Sequence, residues 1–330
     1  MTTPSQNTPA GAGDVQAAAN VLGEAIAEVQ RVIVGQEHMV EQLMVSLLAK
    51  GHTLLEGVPG TAKTLTVKSI ARLMGLSFQR IQMTPDLMPS DVLGTTVYDT
   101  RTGAFQVHKG PIFCDLVLVD EINRAPAKTQ SALLECMEER QVTIEGNRFP
   151  LPRVFMVLAT QNPLEYEGTY PLPEAQLDRF LFKVLIDYPS AAAETAILEK
   201  FEAGFRPDRL EEAGLQTVTT PEELVACQDA LRQIQTKQPV MEYITSIVRL
   251  TRTWSDLLVG GGIRADISLF LASKARALME GREFVTPDDV KAMTPPVLRH
   301  RIILKPEAEI EGATPDQILQ NVLAQVKVPR

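Results

Sequence analysis

Three cysteines in 330 residues, Cys114, Cys136 and Cys227, are too few and too scattered for a disulfide framework or a zinc-binding spacing. Cys114 and Cys136 stand in apolar surroundings that suit core residues better than nucleophiles. Such sparing use of cysteine points to a reducing, cytoplasmic setting. No apolar run approaches the roughly 20 residues that a membrane-spanning helix needs. The N-terminus has no basic stretch leading into a hydrophobic one, so neither a span nor a secretory leader is expected. The four histidines, at 38, 52, 108 and 300, form no HExxH or comparable pair and read as structural or surface residues. Bases are in deficit as well: 32 Lys and Arg against 41 Asp and Glu leave a net charge of −9. That balance argues against broad, sequence-independent nucleic-acid binding, though it leaves room for a local basic stripe. Repeats at solenoid periods are absent.

What is present begins with length and apolar content: 45% hydrophobic residues in 330 can fill the cores of two domains. Residues 1–13, rich in Pro, Gly, Ser and Thr, read as a disordered tail. Helices are expected from Asp14 to about Val32 and from His38 to Lys50, the second with Met39, Val40, Leu43, Met44, Leu47 and Leu48 on one face. Strands are expected at Thr53–Leu55, Phe78–Gln82, Leu116–Val119, Val154–Ala159 and Leu181–Ile186, with hairpins at about 95–107 and 141–149. From Ser190 the pattern turns helical: Ala191–Phe201, Pro221–Gln235, Met241–Leu258, Arg264–Met279 and Pro287–Met293. Thr286 and Pro287 make a cap and first-turn pair for the last of these. Alternating β and α followed by helices implies an α/β domain over 14–189, with a doubly wound parallel sheet, and a helical domain over 190–330.

The octapeptide Gly57-Val58-Pro59-Gly60-Thr61-Ala62-Lys63-Thr64 follows the first strand and opens a helix at Leu65. A phosphate-binding loop belongs at that junction, where backbone N–H groups converge and the helix N-terminus adds positive partial charge. Lys63 would reach the β- and γ-phosphates, and the Thr64 hydroxyl would hold Mg2+. Ala62 replaces the second glycine of the strict pattern, which is tolerable if that residue keeps negative φ. Alone, the octapeptide could be a glycine-rich turn with a surface lysine. The run Leu116-Val117-Leu118-Val119 decides between them, because it ends in Asp120-Glu121. Acids at the carboxyl end of a buried parallel strand lie where open α/β sheets bind ligands. Asp120 would hold the metal and Glu121 would polarise the attacking water, so binding and hydrolysis of a nucleoside triphosphate are expected.

These motifs, with PDLMPSDVLG (85–94), KGPIF (109–113), VDEINRAPAKTQSALLECMEERQVTI (119–144), ATQNPLEYEGTYPLPEAQLDRF (159–180) and VTPDDVKAMTPPVLRHRI (285–302), resemble the MoxR family of AAA+ ATPases. The resemblance covers most of the chain after the tail. It implies an αβα P-loop NTPase domain followed by an all-helical lid, with ATP and Mg2+ as cofactors, and it reconciles Ala62 with loops of the form GxPGxAKT. Asn162 resembles sensor 1. Arg179 in LDRF resembles an arginine finger donated in trans, and Arg264 a sensor 2 that contacts phosphate in cis. Val34 and Gly35 resemble the segment beside adenine. Arg124 is a candidate either for the subunit interface or for a local salt bridge. The hairpins correspond to a helix-2 insertion and a hairpin before sensor 1, making Tyr98, Phe105 and Phe149 candidates for gripping a partner or for ordinary packing. The family further implies a homohexamer and a protein client, with a von Willebrand A domain protein among the partner types. The expected function is a ring-forming, chaperone-like motor that helps mature enzymes or metal-dependent complexes. Rival readings are a nucleic-acid motor, a metal-chelatase motor subunit and a nucleotide-gated scaffold with little turnover.

Overall fold

The computed structural model describes residues 12–58, 60–162, 169–207, 209, 210 and 214–329. Residues 1–11 of the expected tail and Pro59 of the expected loop lie outside them. Helix α1 (Ala12–Val32) starts two residues before the expected Asp14 and buries Val15, Ala18, Leu22, Ala25 and Val29, spaced three and four apart along one face. Helix α2 (Glu37–Leu48) buries all six positions that its periodicity picked out. Then come β1 (Thr53–Gly57), α3 (Lys63–Leu73), β2 (Phe78–Gln82) and the short α4 (Pro89–Leu93). The first hairpin pairs β3 (Gly94–Asp99) with β4 (Ala104–Lys109). Strand β5 (Leu116–Asp120) is buried throughout, and α5 (Ala127–Glu139) leads to the second hairpin, β6 (Gln141–Ile144) with β7 (Asn147–Pro150). Strand β8 (Met156–Gln161), α6 (Glu174–Leu177) and β9 (Phe182–Ile186) complete the α/β part.

The five core strands lie parallel in the order β2-β5-β8-β1-β9. Side chains alternate across a strand. Thus Leu116 and Leu118 join one apolar cluster, with α1, α2 and α3, while Val117 and Val119 join the other, with α5. Covered on both faces, β5 reads as an unbroken apolar run from Leu116 to Val119. Register sets Glu56 of β1 against Gln161 of β8, and Val119 of β5 against Ala159. The ends of β1, β5 and β8 therefore share one edge, where the loop before α3, Asp120-Glu121 and Asn162 emerge.

The helical part comprises α7 (Ala191–Glu202), α8 (Pro221–Ala230), α9 (Gln238–Thr251), β10 (Leu257–Val259), α10 (Ile263–Met279), α11 (Pro287–Leu298), β11 (Ile303–Leu304), α12 (Pro306–Ile310) and α13 (Pro315–Gln325). Helix α9 ends well before the expected Leu258, because the Thr251 hydroxyl accepts the Gly261 N–H and the chain folds back. Leu257–Val259 then pairs antiparallel with Ile303–Leu304, a two-stranded ribbon within the helical region. Helix α11 continues past the expected Met293 through Pro295 and Pro296. Capping boxes at Thr220, Thr286 and Thr314, each with Pro in the first turn, start three of these helices. Such a cap stabilises its helix by about 1 kcal/mol. One continuous core joins α1 and α2 to the helical region, and Gln228 of α8 donates to the Leu47 carbonyl at 2.8 Å.

Candidate functional site

A cavity of ≈ 560 Å³ opens at the strand edge described above. Its lining includes Gly57 and Gly60 to Leu65 of the loop and the start of α3, and an apolar set, Val32, Ile33, Val34, Ile197, Phe201 and Phe205. Gly57 must lack a side chain, since a Cβ there would lie 2.4 Å from the Ile186 carbonyl oxygen. Val58 follows the strand, and its carbonyl accepts the Thr61 hydroxyl at 3.1 Å. Ala62 does not keep negative φ: it sits at φ 59°, ψ 18° as the residue before α3. The loop turns left-handed there to enter the helix, at a cost of about 1–2 kcal/mol for a residue bearing a Cβ. Strain of this kind persists where the surrounding structure enforces it, often at functional sites. The Lys63 ammonium donates to the Gly57 carbonyl. Partial burial pushes its pKa below that of an ordinary lysine, against the upward pull of Asp120 and Glu56.

The acids are held by neighbours that sequence reasoning missed. Asp120, buried, pairs with Arg80 Nε at 2.5 Å and accepts the Thr160 hydroxyl at 3.1 Å. The Thr160 oxygen in turn accepts the Glu121 N–H at 2.9 Å. Glu121 is left-handed, φ 56°, ψ 54°, and its carboxylate takes Gln82 Nε2 and Arg124 Nε, both at 2.9 Å. Arg80 and Gln82 stand two apart on β2 and so project to the same side. They reach the two successive acids at the end of β5, Asp120 and Glu121. Their signal in the sequence was a strand, Phe78-Gln79-Arg80-Ile81-Gln82, far more polar than its neighbours in the sheet. Thr160 and Asn162 also line the cavity.

Residues suited to a metal are few. Among the described residues no group of three or more His, Cys, Asp or Glu gathers. Asp120 and Thr64 face the same cavity, and the Arg80 cation on Asp120 marks that carboxylate as turned toward positive charge. One carboxylate and one hydroxyl fit magnesium, which keeps waters and takes substrate phosphate oxygens rather than an all-protein cage.

Two arginines lie elsewhere. Arg179 Nη2 is 3.1 Å and Arg264 Nη2 2.6 Å from the two oxygens of Glu138, and Arg264 Nη1 is 3.9 Å from Asp178. They line a separate hollow of ≈ 320 Å³ with Lys50, Arg140 and Arg301, and none of the described residues lines both cavities. Arg264, expected to meet phosphate in cis, therefore does not line the cavity beside the loop. The start of α10 packs beside Glu138 at the end of α5 and the 178–179 segment, not over the phosphate loop. Val34 lines the first cavity, whereas Gly35 does not and packs against α7. At φ +75° its Cβ position is 2.7 Å from the Ala193 Cβ, so the segment before α2 abuts α7. That contact brings Ile197 and Phe201 to the cavity, a juxtaposition no local pattern announces. The Tyr98 and Phe105 rings meet at a 60° tilt, centroids 5.2 Å apart, on the exposed first hairpin, while Phe149 packs against the core. Cys114 and Cys136 are buried, and burial pushes both thiols up to about 12, so neither is a nucleophile.

Residues 52–182 match the ATPase family associated with various cellular activities (AAA), and residues 252–322 match the AAA lid domain. The chain is 42% identical to the protein named Chaperone MoxR1 of Mycobacterium tuberculosis, over 98% of this chain and 86% of that one. It is 31% identical to Protein MoxR of Methylorubrum extorquens, over 88% and 90% of the two chains. The solved structure of a candidate ATPase from Cytophaga hutchinsonii superposes with a TM-score of 0.89 at 41% identity, covering 96% of this chain and 98% of that one. With its αβα nucleotide-binding fold, its lid and these relatives, the chain belongs to the MoxR family of AAA+ ATPases.

Proposed function

We propose that this protein hydrolyses ATP with magnesium at sites shared between identical subunits of a ring, and uses the cycle to remodel partner proteins. The observation that carries the reading is the division of the charged residues. Val34, Gly57, Gly60 through Leu65, Asp120, Glu121 and Asn162 border one cavity, while Arg179 and Arg264 share Glu138 on another. A site lacking its arginines in cis is completed by a neighbour that brings them.

In this scheme the triphosphate lies along the loop, with Lys63 transferring its hydrogen bonds from the Gly57 carbonyl to phosphate oxygens. The base rests against Val34, Ile197 and Phe201. Asp120 and Thr64 would hold magnesium, whose charge would draw the phosphate oxygens together. Arg80 must then release Asp120. Glu121, turned left-handed at the strand end, orients and polarises the attacking water, with Asn162 beside it. Arg179 of one subunit stabilises the charge on the γ-phosphate of the next. A finger of this kind raises turnover roughly 10³ to 10⁵-fold, about 4 to 7 kcal/mol of barrier. A monomer is thus expected to bind ATP and hydrolyse it poorly, and a hexamer to be the active form.

A relative named a chaperone supports a protein client, and a von Willebrand A domain protein is the partner type we favour. The exposed Tyr98–Phe105 pair offers a grip on it. Buried free thiols fit residence in the cytoplasm. The test mixes two inactive variants. Glu121→Gln and Arg179→Ala are each expected to bind ATP without turnover. Co-assembled, they recover part of the activity, because fingers of the first meet bases of the second. Confirmed co-assembly without recovery would sink the shared-site reading.

A further inference from the structure

The turn after α11, Arg299-His300-Arg301, is the part of the C-terminal motif for which the nucleotide site leaves no role. All three side chains reach back to one short segment, residues 178–183, which carries Arg179. Arg299 Nη1 donates to the Lys183 carbonyl at 3.0 Å and its fork pairs with Asp316 at 2.9 Å. His300 Nε2 meets the Phe180 carbonyl at 3.0 Å. Arg301, with only 3% of its side chain exposed, reaches Asp178 Oδ1 at 2.8 Å, the Asp178 carbonyl at 3.3 Å, the Phe180 carbonyl at 2.7 Å and the Leu181 carbonyl at 3.1 Å. It also donates to the Val297 carbonyl and, at 3.2 Å, to the hydroxyl of Ser268.

Two of those partners matter for their neighbours. Asp178 is adjacent to Arg179 and lies 3.9 Å from Arg264. Ser268 is one helical turn beyond Arg264 on α10. One buried guanidinium therefore touches the backbone beside one arginine and the helix turn above the other. A planar fork with five donors in fixed directions holds such a set, and a lysine ammonium does not.

We infer that Arg301 is a positioning residue for Arg179 and Arg264. Through it the Arg299–Arg301 turn locks the helical region onto the 178–183 segment, so that both arginines reach the neighbouring subunit's phosphates as one unit. The inference rests on the shared-site reading above. It separates Arg301 from the cis nucleotide cavity, which Arg301 does not line.

The experiment uses Arg301→Lys, which keeps the charge but not the fork, and Asp178→Asn, which keeps the shape of a part-exposed side chain. Both are expected to bind a fluorescent ATP analogue within twofold of wild type. Turnover of the assembled variants falls on the order of 10- to 100-fold, the scale of a reacting group displaced by about 1 Å. Mixed with Glu121→Gln, each recovers turnover as Arg179→Ala does, because intact arginines from the partner variant serve the intact Glu121. A simple loss of folding or of the cis site would not be rescued in this way. Wild-type turnover in both variants overturns the inference. So does lost turnover without recovery, measured where the Arg179→Ala mixture does recover. Failure of the Arg179→Ala mixture itself instead removes the shared-site reading and this inference with it. If Arg301→Lys does not fold, Asp178→Asn decides alone.

Discussion

Lowering the pH from 7 to 5 should strip stability from this protein through a histidine far from the nucleotide cavity. His52 is buried, with Nδ1 accepting the Val157 N–H at 2.9 Å and Nε2 donating to the Met137 carbonyl at 3.1 Å. Only the neutral ring meets both partners; a second proton would point at an N–H. Burial, and next the nearby Arg140 charge, push its pKa from the ordinary 6.5 down to about 3, against the upward pull of the Met137 carbonyl. The folded pKa is depressed, so the unfolded chain takes up a proton below pH 6.5 that the folded chain refuses until about pH 3. The stabilisation is fully present above that window and is lost as pH falls through it. At pH 5 the loss from this one residue is about 2 kcal/mol, a sizeable part of a typical stability of 5–15 kcal/mol. His300 adds in the same direction: burial and then Arg301 hold it well below its ordinary value. Ordinary carboxylates titrate near pH 4, so they contribute little in this range. Urea midpoints at pH 7 and pH 5 check the effect in wild type and in His52→Gln, whose amide retains one donor and one acceptor. The variant is expected to be less stable at pH 7 but to show a pH dependence shallower by about 2 kcal/mol. Identical pH dependence in the two proteins would refute the reasoning.

Arg80→Met removes the cation that competes for Asp120. Because Arg80 is half exposed, the pair is worth about 1 kcal/mol, and half-saturation by magnesium of the ATP-bound protein should fall roughly fivefold; an unmoved magnesium titration midpoint contradicts this. Ala62→Gly relieves about 1–2 kcal/mol of left-handed strain but adds about 0.5–1 kcal/mol of chain entropy, for a net gain of at most about 1.5 kcal/mol in thermal melting without nucleotide. A destabilised Ala62→Gly would show that the alanine methyl has packing value that outweighs the strain.

Much of the site was legible because its parts follow local rules. A strand end followed by small residues and a lysine, and an apolar run closed by two acids, carry their meaning within a few residues, and the parallel sheet brings those ends to one edge. Arg80 and Gln82 were not legible in the same way. They act sideways, from β2 onto β5, and nothing in their own segment says which strand lies next to it. The apolar wall from α7 depends on Gly35 allowing a close approach across more than 150 residues of chain. The end of α9 was misjudged because apolar residues continue past Thr251, and what stops the helix is a hydroxyl caught by Gly261.

The amino-acid sequence by itself determined the fold class and offered the loop, the acids and the arginines as candidates, since periodicity, turn chemistry and charge are properties of short segments. Tertiary structure alone decided where the charges stand. It put Arg80 on Asp120, turned Ala62 and Glu121 left-handed, and set Arg264 on Glu138 beside Arg179. The physical reason is that an ion pair or a strained backbone angle depends on which distant elements meet, and packing of the whole chain sets that meeting.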